Sequence, residues 1–419
     1  MSVLIKNARI LDPVAGTDAV GCLGFRKGRI DYRGVRAPKA AYDEVIEAKG
    51  LWLMPGIVDL CARMREPGHT QKATMRSEAR AALAAGITAV CLPPDTRPVI
   101  DNTAVVNRVN RIAKAAAGTY VYMLGALTKG LEGQALSEMS ALKQAGCVGV
   151  GNGLAPVANT LIARRALEYA SSLGLTVHVV PLDPSLANGG CAHEGAVATR
   201  LGLTSIPISA ETVAMRQWIS LVEDTGARIH FGRLSSARGV ELLQSAQRRG
   251  LPVTADVAAH QLFLTDADLE GFNAMAHVMP PLRHAQDRDA LRAAVKSGVI
   301  GAICSDHQPH EADAKINPFP LTEPGISALE TLLPLSLRLV QDGVLTPLQA
   351  VARLSLAPAQ VLGIEYGSLA SGAAVDLVLV DPSATWQLNP VELLSRGRNT
   401  PFAGTAFKGR ALRAWLSAA

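Results

Sequence analysis

The sequence predicts an α/β protein, a (β/α)8 barrel carrying a smaller β unit assembled from both chain ends. Three observations predict it. From Gly56 onward, short apolar strand-like runs alternate with Ala-rich amphipathic segments, the pattern of repeated βα units. There are eight such runs, each followed by a helical segment, which is the count of a closed parallel barrel. On either side of this region the helical period is lost and short strands broken by Gly, Pro and Asp take over. A doubly wound open sheet is the weaker alternative, because no Gly-x-Gly-x-x-Gly follows the first strand.

Taken in order, residues 1–54 form the N-terminal part of the β unit, with strands at 3–11, 19–26 and 44–53. The barrel occupies 55–365, with strands at 57–60, 88–92, 120–124, 147–150, 175–180, 228–231, 253–257 and 299–304. Helices are expected at 73–85, 104–116, 136–145, 159–173, 210–224, 239–249 and 285–297, with 325–340 and 347–362 after the last strand. Residues 366–419 return to β at 375–380 and 404–415.

Composition narrows the function classes. A chain of 419 residues, 48% hydrophobic and only 4% aromatic, suits a large aliphatic α/β core. The net charge of +5 is modest and no Lys/Arg run forms a nucleic-acid stripe. No stretch is long and apolar enough to span a bilayer, and the apolar run after Met1 is too short for a signal peptide. The six cysteines lie far apart without a Cys-x-x-Cys pair, so a reduced, cytoplasmic protein is expected.

The chemistry is sought where barrel strands end. The first strand runs Pro55-Gly-Ile-Val-Asp-Leu-Cys-Ala-Arg-Met-Arg-Glu-Pro-Gly68, an apolar run that stops at polar residues and a turn. This stretch resembles the first barrel strand of the amidohydrolase superfamily, and Arg65-Glu66-Pro67-Gly68 narrows the resemblance to the dihydroorotases. The tail piece Asn399-Thr-Pro-Phe-Ala-Gly404 is similar to the same family, so the resemblance runs over nearly the whole chain and implies that 366–419 completes a small β-sandwich with the strands of 1–54.

In that family zinc supplies hydroxide near neutral pH and polarises an amide carbonyl. The resemblance implies that the metal positions now read Cys61 and Arg63 after strand one, Asn152 after strand four, Val180 after strand five and Arg233 after strand six. Only Asp306, in Asp306-His-Gln-Pro-His310, matches a ligand and proton shuttle of active relatives. Arg65 matches the group that pairs with the substrate carboxylate, while its two asparagine partners are replaced by Asp95 and Met279. A guanidinium has no lone pair for a metal, and a lone buried Cys is more often an apolar filler than a ligand. Zinc is therefore expected to be absent, and Asp306 is expected to pair with Arg63 or Arg233 instead.

What the resemblance then implies is a non-catalytic dihydroorotase-like protein of pyrimidine biosynthesis. Such chains accompany the catalytic chain of aspartate transcarbamoylase, so a homo-dimer within a larger hetero-oligomer is expected, with neither nucleic acid nor membrane as partner. Two other readings stand beside it. One is an active cyclic-amide hydrolase with an atypical metal site built from Cys61, His178, Asp306 and His230. The other is a binding module whose Arg63, Arg65 and Arg233 capture a small dicarboxylate. By strand parity His178 faces the same side as Val180, one pleat deeper, and His230 faces away from Arg233. His307 and His310 are read as holding the last loop by hydrogen bonds. The Gly-rich piece from Asn188 to Gly195 lacks a following Lys-Ser or Lys-Thr, and is a loop rather than a phosphate cradle.

Overall fold

The computed structural model describes residues 2–157 and 159–417. Eight parallel strands are hydrogen-bonded in chain order: Ile57–Asp59, Ile87–Leu92, Tyr120–Ala126, Gly149–Gly151, Thr176–Val179, Ile229–Phe231, Val253–Ala258 and Ala302–Cys304. The ring closes just beyond the strand ends. Arg63 N–H donates to the His307 carbonyl at 2.9 Å, and His307 N–H donates to the Cys61 carbonyl at 3.1 Å. That closure draws the first and last strand ends together, which matters for the site below.

Side chains that alternate outward from the strands, among them Val90, Val150, Val177 and Phe231, pack under the helices in one continuous core. Phe231 is fully buried, and truncating it to Ala would cost about 3–5 kcal/mol through lost burial and the cavity left behind. Inward, Val58, Cys91, Leu124, Ala258 and Cys304 fill the lumen. The helices start where side-chain caps occupy their free N–H groups. Thr74 and Ser77 form a capping box for Met75–Ala84, Asn102 caps Thr103–Ala116, and Ser236 caps Ala237–Arg248. Among the described residues no helix is long and apolar enough to cross a membrane.

The two chain ends meet in one seven-stranded sheet. Its order is Ala406–Trp415, Leu377–Gln387, Trp52–Pro55, Ser2–Asp12, Thr17–Arg26 and Arg29–Gly34, with Glu44–Glu47 pairing beside Ser2–Asp12. Leu377–Gln387 runs antiparallel to Trp52–Pro55, so the strand that leads into the barrel is held by the strand that leaves it. A separate apolar cluster including Ile5, Leu23, Leu53, Leu377 and Trp415 gives this sheet its own core.

Several sequence expectations are corrected. The strand expected at 44–53 is two strands, because the chain turns at Gly50, whose φ of 84° suits glycine. Arg29–Gly34 is a strand that its charged, weakly alternating sequence hides. The helix expected at 347–362 breaks at Ser355 (φ −128°, ψ −67°) into Pro347–Leu354 and Leu356–Leu362. A small parallel pair, Ala192–His193 with Ser205–Ile206, interrupts the unit after the fifth barrel strand where a plain loop was read.

Candidate functional site

The ends of strands one, six and eight converge on a single buried carboxylate. Asp306 is 2% exposed and its backbone lies in the left-handed region (φ 46°). Its Oδ1 accepts from Arg233 Nη1 at 3.2 Å and from Arg63 Nη1 at 3.4 Å, and the Cys61 thiol donates to it at 3.5 Å. Gln308 Nε2 adds contacts at 3.4 and 3.5 Å. Arg63 and Arg233 are themselves 6% and 5% exposed, so the whole cluster is withdrawn from water.

Each guanidinium carries a second link. Arg63 Nε donates to Asp95 Oδ2 at 2.8 Å, and Arg63 Nη1 lies 3.8 Å from the Cys61 sulfur. Arg233 Nη1 approaches that sulfur to 2.7 Å, and the Arg233 backbone N–H donates to Asp256 Oδ1 at 2.6 Å. Burial works against both charges, yet for Arg63 the nearby Asp95, and for Arg233 Cys61 together with Asp306, outweigh it, and both guanidiniums are held more firmly protonated than usual. Burial likewise pushes the Asp95 carboxyl up, but Arg63 outweighs it and the group sits below its ordinary range. Burial drives the Cys61 thiol to about 12, so it stays protonated near neutral pH.

The remaining positions serve other ends. Asn152 holds its own loop: its Oδ1 accepts from Thr128 Oγ1 at 2.8 Å, and its Nδ2 donates to the Ala155 carbonyl at 3.2 Å. Val180 lies one residue past the fifth strand and is partly exposed. Met279 packs against the small apolar cluster of Ala187, Ile206 and Ala210. Arg65, at φ 60°, donates through Nε to the Pro309 carbonyl at 3.0 Å, and its Nη2 lies 3.1 Å from His310 Nε2. Burial and the charge of Arg63 bring Arg65 down to about 10.

Four of the nine histidines form two pairs at the strand ends. His178 and His230 stand opposite each other on neighbouring strands with ring centroids 5.2 Å apart. His230 is fully engaged, with Nδ1 at 2.9 Å from Thr254 Oγ1 and Nε2 at 2.9 Å from Asp256 Oδ2. Arg233 reaches the same carboxylate through its backbone N–H, while its guanidinium goes to Cys61 and Asp306. With Arg233 at φ 57°, strand alternation does not extend past Phe231. His178 Nε2 is buried without a partner among the described residues, and burial, followed by His230, lowers that imidazole to about 3.

His307 and His310 fix the last loop. His307 Nδ1 accepts from Ala328 N–H at 3.0 Å, which leaves Nε2 to donate to Glu78 Oε2 at 2.9 Å. His310 N–H donates to Asn399 Oδ1 at 2.8 Å, and Asn399 Nδ2 returns to the carbonyls of Gln308 and Gly325 at 2.9 and 3.0 Å.

Sequence reasoning missed Asp59, Glu78 and Asp256. Each is a carboxylate inside an otherwise apolar face, and that mismatch was the available signal. Asp59 is fully buried, accepts from Ser305 N–H at 2.8 Å, and burial lifts it to about 7. Glu78 joins His307 to Ser395 Oγ (2.6 Å) and the Arg396 N–H (3.1 Å), tying the first helix to the last loop and the tail.

A closed barrel with its mouth at the strand ends, coupled to a sheet from both termini, is the amidohydrolase architecture. Solved structures agree: L-hydantoinase from Arthrobacter aurescens superposes with a TM-score of 0.89 over 100% of this chain and 95% of that one, at 21% identity. Dihydropyrimidinase from Brevibacillus agri gives 0.87 over 100% and 94%, at 20% identity. The family described as "Amidohydrolase family" matches residues 219–416, and "Dihydro-orotase-like" matches residues 50–238. The chain is 51% identical over 409 residues to a "Dihydroorotase-like protein" of Pseudomonas putida, covering 98% of this chain and 96% of that one. It is 50% identical to the protein of the same name in Pseudomonas aeruginosa (98% and 97% covered), and 42% identical to a "Dihydroorotase" of Anaeromyxobacter dehalogenans (97% and 95% covered). The chain belongs to the dihydroorotase-like family of amidohydrolases.

Proposed function

We propose that this chain is a non-catalytic, dihydroorotase-like structural subunit that supports the assembly and activity of the aspartate transcarbamoylase catalytic chain in the cytoplasm. The observation that carries the reading is the pair of guanidiniums on Asp306. Arg63 and Arg233 place positive charge, with no lone pair to donate, where the family's zinc would sit. Zinc asks for three or four well-placed donors. Asp306 is already shared between two arginines, the Cys61 thiol is protonated, and the Asn152 amide is spent on its loop. Val180 offers no donor at all. The residues present do not fit the metal. The names of the relatives lean the same way, since those at 50–51% identity are called "Dihydroorotase-like protein" and those near 42% "Dihydroorotase".

Metal analysis and a dihydroorotate turnover assay on the purified chain test the catalytic half of the proposal; the expected result is sub-stoichiometric zinc and no turnover. The structural half is tested by co-expression with an aspartate transcarbamoylase catalytic chain. One joint species on a sizing column, with transcarbamoylase activity lost when this chain is omitted, is expected; two separate peaks would sink it.

One observation favours a second reading, an active cyclic-amide hydrolase with an atypical metal site. The neutral His178 imidazole keeps an Nε2 without a partner among the described residues, a lone pair that could still reach a metal. Bound zinc that is lost in a His178→Ala variant, together with turnover, would establish it over the first reading.

A further inference from the structure

The sequence contains two Asn-Gly dipeptides, Asn152-Gly153 and Asn188-Gly189, and the fold treats them in opposite ways. We infer that Asn188 is a site of spontaneous covalent modification, deamidation to aspartate and isoaspartate, and that Asn152 is protected from the same reaction. In this chemistry the backbone nitrogen of the following glycine attacks the asparagine side-chain carbonyl carbon. A new C–N bond closes a five-membered imide, the bond to Nδ2 breaks, and ammonia leaves carrying the amide proton. Water then opens the imide at either carbonyl, giving an ordinary aspartate or an isoaspartate whose backbone runs through the side chain. The only co-reactant is water, and no bond is oxidised or reduced.

The reaction needs three things from the surroundings: an unhindered glycine nitrogen, a side chain free to rotate, and room for the backbone to move. At Asn188 all three are present. It is exposed, at the end of the single turn Pro184–Ala187, in the left-handed region (φ 43°, ψ 41°). Its side chain makes no hydrogen bond among the described residues, and neither does the Gly189 N–H. A Cβ built on Gly189 would meet nothing within 4 Å. The Asn188 N–H bond to the Pro184 carbonyl at 3.0 Å and the Gly190 N–H bond to the Ala187 carbonyl at 2.7 Å are what hold this turn, and its neighbour Gly189 (φ 66°) carries no side chain to restrict it.

Asn152 lacks the second of these, a side chain free to rotate. It is 6% exposed, and its Oδ1 accepts from both the N–H and the hydroxyl of Thr128 at 3.3 and 2.8 Å. Its Nδ2 donates to the carbonyls of Ala155 (3.2 Å), Pro156 (3.4 Å) and Leu131 (3.5 Å). Bringing the Gly153 nitrogen onto this side chain requires breaking that set inside the protein. A local opening that cost as little as about 1.4 kcal/mol would already slow it by about tenfold.

The two sites fall in different tryptic peptides, so one sample reads both. The folded chain is held in mildly alkaline buffer and digested at intervals, and each peptide is followed by the mass gain of about one unit and by separation of the aspartate and isoaspartate forms. Conversion at Asn188 at least about tenfold faster than at Asn152 is expected, given the opening cost above. In a parallel sample unfolded in urea the two rates should approach each other, because the dipeptides are chemically alike. A Gly189→Ala variant should slow Asn188 and leave Asn152 unchanged. Equal rates in the folded protein, faster loss of Asn152, or an intact Asn188 after the unfolded sample has fully converted would each overturn the inference.

Discussion

Two regions of the barrel mouth, which adjoin at Asp306 and His307, have been built on different terms. The cluster of Cys61, Arg63, Arg233 and Asp306 sets two guanidiniums on one carboxylate out of water, with Asp95 as the second partner of Arg63. The clamp of Glu78, His307, His310 and Asn399 consists of hydrogen bonds between elements far apart in the chain. The clamp does not depend on what the cluster does chemically. His307 and His310 point their ring nitrogens at Glu78 and at Lys72 (3.0 Å), not at Asp306. The loop written Asp306-His-Gln-Pro-His310 therefore has a scaffolding role beside the strand ends that carry Arg63 and Arg233.

The two kinds of construction should fail differently. The largest effect is expected for Asp306→Ala, which leaves two buried guanidiniums facing each other with one carboxylate fewer. Breaking a buried ion pair from one side costs about 3–5 kcal/mol, and urea unfolding at neutral pH should show a loss of that size. A loss below about 1 kcal/mol would mean that the cluster is hydrated in solution, as exposed pairs are. Next comes Glu78→Gln, which keeps the shape of the clamp but weakens its links to His307, Ser395 and Arg396. A cost of about 1–3 kcal/mol is expected, together with faster proteolysis of the loop after Asp306.

The pH dependence separates the regions further. Burial holds His178 at about 3 and His193, His260 and His277 at about 4, whereas histidines of the unfolded chain titrate near ~6.5. Below that value the unfolded chain binds protons that the native state refuses. The contribution of these imidazoles is thus fully present above ~6.5 and is lost as the pH falls toward their folded values. Glu78 has the same sign: burial pushes it up, His307 and Ser395 outweigh that, and its net lowered carboxyl loses stabilising power only at still lower pH. Asp59 opposes them, because a carboxyl raised to about 7 stabilises most below the unfolded value and fades as pH rises through 7. Net stability should fall with acid, and Asp59→Asn should steepen that fall in urea titrations run at several pH values. The smallest effect is expected for Asp95→Asn. The Asp95 side chain is 32% exposed, so losing its pair with Arg63 should cost about 1 kcal/mol or less.

The barrel was legible because its signal is repeated. Eight apolar runs with intervening amphipathic helices leave few alternative topologies, and the strand runs at 88–92 and 253–257 lie inside Ile87–Leu92 and Val253–Ala258. The site was legible residue by residue only where motif and strand end coincide, as at Cys61, Arg63 and Asp306. Strand parity carries no information where the backbone leaves the strand, as at Arg233 with its φ of 57°.

The sequence by itself determined the barrel and the β character of the two chain ends, because each follows from residue type and period, and its motifs carried the resemblance that points to Cys61, Arg63 and Arg233 at the mouth. The tertiary structure alone decided that both arginines share one carboxylate, that Asp59, Glu78 and Asp256 lie buried among them, and that one Asn-Gly is locked while the other is free. Those outcomes depend on side chains brought together from distant strands, and no local pattern encodes a distance across the barrel.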